Sequence, residues 1–234
     1  MSQVILLTDT ILWGEIGNGR YAGAYAIAAE LRKNNITTTV IDYFTRHPDF
    51  FSYIDEFVTE KTVAIGIAST FLSPQHKNQQ FSQRTESIRD FNSGALWLKT
   101  YSELEDWLVK FKSRVKKKSP NIKIVLGGVK SQNALKFPQH YSNFDYAVLG
   151  PADKTFTQFI KNLISGYATD FFENNGIRYL NNNEDINNKI CPEIIWLPQD
   201  GVQTKESLPL EIARGCIFNC KFCHYQKQES FKKY

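Results

Sequence analysis

The chain has 234 residues, of which 42% are hydrophobic, and a formal net charge of +4. This length permits one sizeable domain and a smaller additional segment, and the weak positive charge does not indicate a nucleic-acid-binding protein. The opening sequence MSQVILLTDT has no basic segment of the kind that starts a secretory signal. Its apolar run is too short to cross a membrane, so we expect a cytoplasmic protein with no membrane partner.

Apolar and amphipathic segments alternate over the first 166 residues. Buried strands are predicted for VILLTD, TTTVID, TVAIGIAS, IKIVLGG and FDYAVLG, at residues 4–9, 37–42, 62–69, 122–128 and 144–150. Helices are predicted for 20–34 and 50–58, for YSELEDWLVKFKSRVKKKS with Ser102 as its N-cap, and for ADKTFTQFIKNLIS, which Gly166 ends. Continuous apolar strands that alternate with helices predict a doubly wound α/β domain with a parallel five-stranded sheet at 1–166.

Two segments depart from this alternation. Residues 71–101 are polar, rich in Gln and Asn and without a clear period, and we interpret them as an insertion after the third strand. Residues 167–206 are rich in Asn, with GIRYL as a predicted strand and another short strand predicted in the proline-limited segment 191–201. This composition predicts a linker that contains a small hairpin.

Three of the four cysteines, Cys216, Cys220 and Cys223, lie within eight residues in the spacing C-x3-C-x2-C. In a cytoplasmic chain such a cluster indicates metal ligands or reactive thiols, and thiolates suit zinc and iron–sulfur clusters. A zinc site that adds His224 is the alternative, although adjacent ligands at 223 and 224 would be strained in a tetrahedral site. Cys191 has no second cysteine or histidine near it in sequence, and we interpret it as an incidental thiol.

The segment PLEIARGCIFNCKFCHY resembles the cluster-binding segment of the radical SAM enzymes, in which three cysteines in C-x3-C-x-aromatic-C hold a 4Fe–4S cluster. In that family S-adenosylmethionine (SAM) chelates the fourth iron and is reductively cleaved to a 5′-deoxyadenosyl radical. The resemblance implies that the iron ligands are Cys216, Cys220 and Cys223, and that Gly215, Phe222 and Tyr225 surround the cluster and SAM. It also implies an external electron donor, such as a flavodoxin or ferredoxin, and a substrate that the sequence does not name.

Three earlier segments resemble the flavodoxin-like, cobalamin-binding domain that precedes the barrel in one class of radical SAM proteins. They are GRYAGAYAIAAELRKNNITTTVID, NIKIVLGGVKS and FDYAVLGPADKTFTQFI. The resemblance implies cobalamin as a candidate cofactor, with Gly127, Gly128 and Gly150 in the loops around it. The segment TDTILWGEIGNG has no histidine at the place where Asp-x-His-x-x-Gly ligates cobalt in related domains. Ligation of cobalt by a histidine from this position is therefore not expected.

Residues 207–234 are interpreted as the first strand, LEIA, and the thiol loop of a radical SAM barrel. Such a barrel needs further βα units, on the order of 150 residues. We therefore expect a fragment, a truncated reading frame, or one half of a split enzyme whose second chain supplies the remainder. The alternative function is a cobalamin- or nucleotide-binding α/β module with a vestigial or zinc-binding cysteine tail. The nucleotide version rests on Gly17, Gly19 and Asp42, although the glycine spacing departs from the dinucleotide fingerprint.

Overall fold

The computed structural model describes residues 2–12, 18–44, 47–69, 72, 100–128, 131–181, 193–204 and 206–209. The helices within these ranges are α1 (Ala22–Lys33), α2 (Phe50–Phe57), α3 (Tyr101–Lys118), α4 (Asn133–Lys136) and α5 (Asp153–Ser165). The strands are β1 (Val4–Leu7), β2 (Thr10–Leu12), β3 (Asn18–Arg20), β4 (Thr38–Ile41), β5 (Ala64–Ala68), β6 (Lys123–Gly127), β7 (Tyr146–Ala147), β8 (Phe171–Asn174), β9 (Ile177–Leu180) and β10 (Glu206–Ser207). Short 3-10 helices lie at Pro138–Tyr141 and Pro198–Asp200.

The main sheet has the strand order β4-β1-β5-β6-β7-β9-β8, and its neighbouring strands are parallel except for the pair β8 and β9. Leu7 of β1 lies opposite Ile41 of β4 on one side and Ile67 of β5 on the other. If the five strands that precede the hairpin are renumbered 1 to 5 in chain order (β1, β4, β5, β6, β7), their order across the sheet is 2-1-3-4-5. This is the flavodoxin-like order. The predicted doubly wound α/β fold is confirmed.

The hairpin β8–β9 enlarges this sheet, so the prediction of five strands followed by a separate linker hairpin was wrong. β9 pairs in parallel with β7, with Tyr146 opposite Arg178, and β8 forms the outer edge. Asn175 and Gly176 both have positive φ and form the tight turn between the two strands. Burial of Tyr179 explains the docking, because an isolated hairpin would leave this side chain in water.

Helices cover both faces of the sheet, because successive strand side chains point to opposite sides. One hydrophobic cluster includes Ile5, Leu7, Ile65, Ile67, Ile124 and Leu126 together with side chains of α2 and α3. The opposite cluster includes Val4, Leu6 and Val125 together with side chains of α1 and α5. The strand ends, rather than the faces, are therefore the part of the sheet where a ligand could approach.

Some local predictions need correction. Helix α3 begins after Thr100, not after Ser102, because Thr100 accepts from the backbone of Glu103 while the Glu103 side chain accepts from the backbone N–H of Thr100. The strand predicted within 191–201 is not formed over the described residues 193–201, which instead include the 3-10 helix at Pro198–Asp200. Gly166 ends α5 in the left-handed conformation, as predicted.

Parts of the predicted organisation lie outside the described residues. They include nearly all of the insertion at 71–101 and the whole of 210–234 with its predicted strand LEIA. In the described part of the chain, no helix is long and apolar enough to cross a membrane.

Candidate functional site

The carboxyl ends of the parallel strands form the first part of the candidate site. From β1 the chain crosses to β4 on one side of the sheet, and it then returns to β5 on the other side of β1. This reversal is the topological switch point, where open α/β sheets bind their ligands. Polar residues follow the strands there: Thr8 and Asp9 come after β1, Ser69 comes after β5, and all three are buried.

The turn after β6 comes unusually close to this point. Gly128 has a φ of +84°, and an added Cβ would lie 3.3 Å from both the backbone N and the Oγ of Ser69. A Cβ added to Gly127 would meet no atom within 4 Å. The backbone N–H of Ser131 donates to the carbonyl of Gly128 at 3.0 Å. Ser131 is 1% exposed, and its hydroxyl has no hydrogen-bond partner within the described ranges. This edge thus offers close backbone approach and a buried hydroxyl.

We expect Gly128→Ala to lower the free energy of unfolding by about 1–3 kcal/mol, because positive φ and crowding against Ser69 both oppose a side chain. The matched control is Gly166→Ala, since Gly166 has a φ of +72° but no atom within 4 Å of an added Cβ. Urea denaturation of both variants measures the difference. Equal losses in the two variants would show that the contact with Ser69 does not matter.

A smaller three-stranded sheet forms the second part of the site. Its order is β10-β3-β2, with β10 parallel to β3 and Ser207 opposite Gly19. β2 and β3 belong to the connection between β1 and α1, for which no strand was predicted. We call residues 193–204 and 206–207 the strap, because they return to this connection after the hairpin. The strap leads directly into the segment that contains the three clustered cysteines.

Arg20 at the end of β3 holds the strap through a side chain that is only 2% exposed. Its Nε donates to Oε2 of Glu206 at 2.8 Å, and Nη1 donates to the carbonyl of Asp200 at 2.6 Å. Nη2 donates to the carbonyl of Gly201 at 2.9 Å, and Nη1 also donates to the hydroxyl of Tyr25 at 2.5 Å. Three of these four acceptors belong to the strap.

Glu206 is the strap carboxylate in this arrangement, and its side chain is 1% exposed. Tyr43 donates its hydroxyl to Oε1 at 2.9 Å, and the backbone N–H of Gln203 donates to Oε2 at 2.9 Å. Burial acts to raise the pKa of Glu206, but the hydrogen bonds from Arg20, Gln203 and Tyr43 outweigh it. The pKa of Glu206 therefore lies below its ordinary value.

This depressed pKa predicts a specific loss of stability in acid. Glu206 contributes stability above its unfolded pKa of 4.5, and the contribution is lost as the pH falls through the lower folded value. Glu206→Gln should remove this dependence, so its free energy of unfolding should fall less steeply below pH 4.5 than that of the wild type. Denaturant unfolding at a series of pH values measures both slopes. Parallel slopes would contradict the prediction.

A second arginine, Arg32 of α1, binds the strap through the carboxylate of Asp200. Nη2 donates to Oδ1 of Asp200 at 2.7 Å and Nη1 donates to Oδ2 at 3.0 Å. The ring centroids of Trp196 and Tyr25 are 4.4 Å apart. The guanidinium of Arg20 lies over the same Tyr25 ring. The contacts that attach the strap to α1 and β3 thus include two arginine side chains and one aromatic contact.

The structure locates only part of the predicted site. Gly127 and Gly128 lie at the carboxyl end of β6, and Gly150, with a φ of +88°, follows β7. Their predicted role around a corrinoid stays a prediction. The cysteines and their predicted neighbours lie outside the described residues: Cys216, Cys220, Cys223, Gly215, Phe222 and Tyr225. Within the described residues, no group of three or more His, Cys, Asp or Glu side chains is placed to hold a metal ion.

Asp42 accepts the hydroxyl of Tyr25 at 2.8 Å and lies 3.9 Å from Nη1 of Arg20. These contacts weaken the nucleotide alternative, because a ribose would have to compete for this carboxylate. Sequence reasoning missed the role of Arg20, which was predicted to begin a helix. Its partner Glu206 is 186 positions away, and no local pattern reports such a pairing.

Comparison with known proteins gives a likeness of structure alone. No family model matches the chain, and neither does any curated protein. Two solved structures of the radical S-adenosylmethionine methyltransferase TsrM from Kitasatospora setae are similar to it. The first, with cobalamin and a 4Fe–4S cluster bound, is 15% identical with a TM-score of 0.46 and covers 72% of this chain and 28% of its own. The second, with tryptophan substrate and the SAM analogue aza-SAM bound, is 14% identical with a TM-score of 0.45 and covers 72% and 27%.

The chain therefore spans little more than a quarter of the length of these two structures. Its fold class rests on its own strand order.

Proposed function

We propose that the chain is the amino-terminal part of a radical SAM enzyme in which Cys216, Cys220 and Cys223 bind a 4Fe–4S cluster. The observation that carries the proposal is the thiol spacing C-x3-C-x2-C with Phe222 immediately before the third cysteine. The flavodoxin-like order of the sheet supports it, because it agrees with the domain that the amino-terminal segments resemble.

The donor set fits this cofactor. Three thiolates are suitable ligands for an iron–sulfur cluster, and they leave one iron with an open position for SAM. A structural zinc site would instead need a fourth protein ligand. When bound, the cluster would supply the electron that cleaves SAM to methionine and the 5′-deoxyadenosyl radical. The chain's own residues provide the three thiolates and, through the strap, the connection between the thiol loop and the α/β domain.

The carboxyl edge of the sheet is the place we propose for a second cofactor, with cobalamin as the candidate. Support comes from the switch point between β1 and β5, from Gly127 and Gly128, and from the buried hydroxyl of Ser131. Glycine leaves the backbone open to a large ligand, and the hydroxyl can donate to or accept from it. The substrate and the reaction type are left unassigned by these residues.

Metal and sulfide analysis of the anaerobically reconstituted chain tests the cluster. We expect about four iron and four sulfide per chain, and an EPR signal of the reduced sample that changes when SAM is added. Stoichiometric zinc without sulfide would overturn the proposal. A cluster whose signal is insensitive to SAM would support the ligand assignment and contradict SAM binding by this chain.

Retention of cobalamin on gel filtration, followed by its visible absorption, tests the second cofactor. We expect Gly127→Leu to remain folded, because nothing lies within 4 Å of its added Cβ, but to retain less than about a tenth of the corrinoid retained by the wild type. Gly23→Leu on α1 is the matched control, since Gly23 is equally open. Equal retention by the wild type and Gly127→Leu would remove cobalamin from this edge, as would no retention by the wild type.

A further inference from the structure

We infer that Arg20 is a positioning residue for the thiol loop. Its buried guanidinium attaches the strap to the carboxyl edge of the sheet and thereby fixes where the polypeptide leaves the α/β domain on its way to Cys216. The inference rests on the proposed function for the identity of the cluster. The attachment itself rests on the described contacts of Arg20.

The pairing of β10 with β3 gives the position of the strap. β3 belongs to the connection that leaves the carboxyl end of β1 and enters α1, so it lies beside the switch point. Glu206 lies opposite Asn18, and Ser207 lies opposite Gly19. The strap therefore ends at the same edge of the sheet where Thr8 and Asp9 follow β1.

The short sequence distance from the strap to the thiols limits where a cluster can lie. Cys216 lies nine positions after Ser207 (216 − 207), so nine Cα–Cα steps join them. Even fully extended, they span about 30 Å at most. Fixing Ser207 therefore keeps the first cysteine within this radius of the carboxyl edge. Releasing the strap would lengthen the tether back to β9, the preceding described strand.

The chemistry of the contact explains why an arginine is needed. The planar guanidinium presents several N–H donors in a fixed fork, and here it reaches one carboxylate, two carbonyls and one hydroxyl at once. Because these groups are buried, an apolar side chain at position 20 would leave the Glu206 carboxylate without a counter-charge and the carbonyls of Asp200 and Gly201 without this donor. The strap would then undock to recover hydration.

Hydrogen exchange and cluster stability, measured on the same reconstituted full chains, test the inference. The variants are Arg20→Met, the conservative Arg20→Lys, and the control Arg114→Met, whose arginine pairs with Asp55 on the surface. In Arg20→Met we expect the strap amides of Leu197, Gln203 and Glu206 to exchange about tenfold faster, while those of β5 and β6 change by less than about twofold.

The second measurement follows loss of the cluster's visible absorption in the presence of an iron chelator. We expect about fivefold faster bleaching in Arg20→Met, intermediate bleaching in Arg20→Lys, and wild-type bleaching in Arg114→Met. If Arg20→Met also loses the protection of β5 and β6, the Arg20→Lys variant decides, since it keeps the positive charge. Faster strap exchange with faster bleaching in that variant supports the inference.

These measurements distinguish failure of the positioning role from failure of the proposed function. The test variant is Arg20→Met, or Arg20→Lys if Arg20→Met loses the protection of β5 and β6. If its strap amides exchange at the wild-type rate, or exchange faster while the cluster bleaches at the wild-type rate, the positioning role is overturned. The cluster assignment would remain intact. A wild-type chain that binds no iron and sulfide would overturn the proposed function and with it the role toward a cluster. Hydrogen exchange would in that case still report whether Arg20 attaches the strap.

Discussion

Replacing any one of Cys216, Cys220 or Cys223 with alanine is expected to abolish the iron–sulfur cluster. We expect iron and sulfide to fall from about four per chain to less than about a tenth of that value after reconstitution. A site with three protein thiolates has no spare ligand, and the chain's other cysteine, Cys191, stands 25 positions before the first of them (216 − 191). Iron, sulfide and zinc analysis measures the loss, and EPR of the reduced samples shows whether any cluster persists.

Two matched variants serve as controls for the cysteine replacements. Cys191→Ala removes a thiol outside the cluster motif, and His224→Ala removes the imidazole that follows the third cysteine. Both should retain the iron, the sulfide and the EPR signal of the wild type. Loss of bound metal in His224→Ala as complete as in the cysteine variants would favour a four-ligand zinc site. Loss in Cys191→Ala would make Cys191 a ligand.

The second large effect is expected from Arg32→Met, which should lower the free energy of unfolding by about 3–5 kcal/mol. The Asp200 side chain is 0% exposed, and Arg32 donates to both of its oxygens. Methionine keeps much of the apolar stem of arginine but removes both donors. The backbone N–H of Leu197 would remain as a hydrogen bond to this carboxylate, which is too little to stabilise a buried charge. Urea denaturation at pH 7 measures the loss.

Arg114→Met provides the comparison for this prediction. Arg114 also lies on a helix and donates to an aspartate, Asp55, but its side chain is 40% exposed. Exposed ion pairs contribute little, and we expect a much smaller loss than in Arg32→Met. Similar losses in the two variants would contradict the view that burial of Asp200 makes the strap contact important. A loss below about 1 kcal/mol in Arg32→Met would do the same.

The five main-sheet strands that precede the hairpin were predictable because their signal is local. Each lies in a short apolar run, and burial on both faces of a parallel sheet demands such a run. The turn at Asn175 and Gly176 carries an equally local signal for a hairpin. The pairing of β9 with β7 was not predictable in this way, because it depends on which edge of the sheet remains available after five strands have assembled.

The start of α3 shows how tertiary contacts decide between equal local signals. Thr100 with Glu103, and Ser102 with Glu105, both match the capping-box pattern. The structure uses the first pair, because Glu105 instead pairs with His140. Tyr101, the first residue of the helix, also stacks on the ring of His140 at 4.3 Å between ring centroids. The prediction of a hydroxyl N-cap was thus correct, but the N-cap lies two residues earlier than predicted.

The candidate site was predictable only in part. The glycines at the ends of β6 and β7 could be located because strand ends follow from the strands themselves. The buried contacts of Arg20 could not, because complementary charges far apart along a chain have many alternative partners. The decisive information is the parallel pairing of β10 with β3, which no periodicity encodes.

The long-range attachment of the strap also has a consequence for the order of events during synthesis. Arg20 emerges from the ribosome 186 residues before Glu206, so its buried position cannot be completed while the five central strands are being made. Contacts of such separation form late, since a large loop must close before they stabilise anything. The α/β domain therefore reaches its final state when the strap emerges. The thiol loop follows the strap in the chain, so it is the next segment to emerge after the strap.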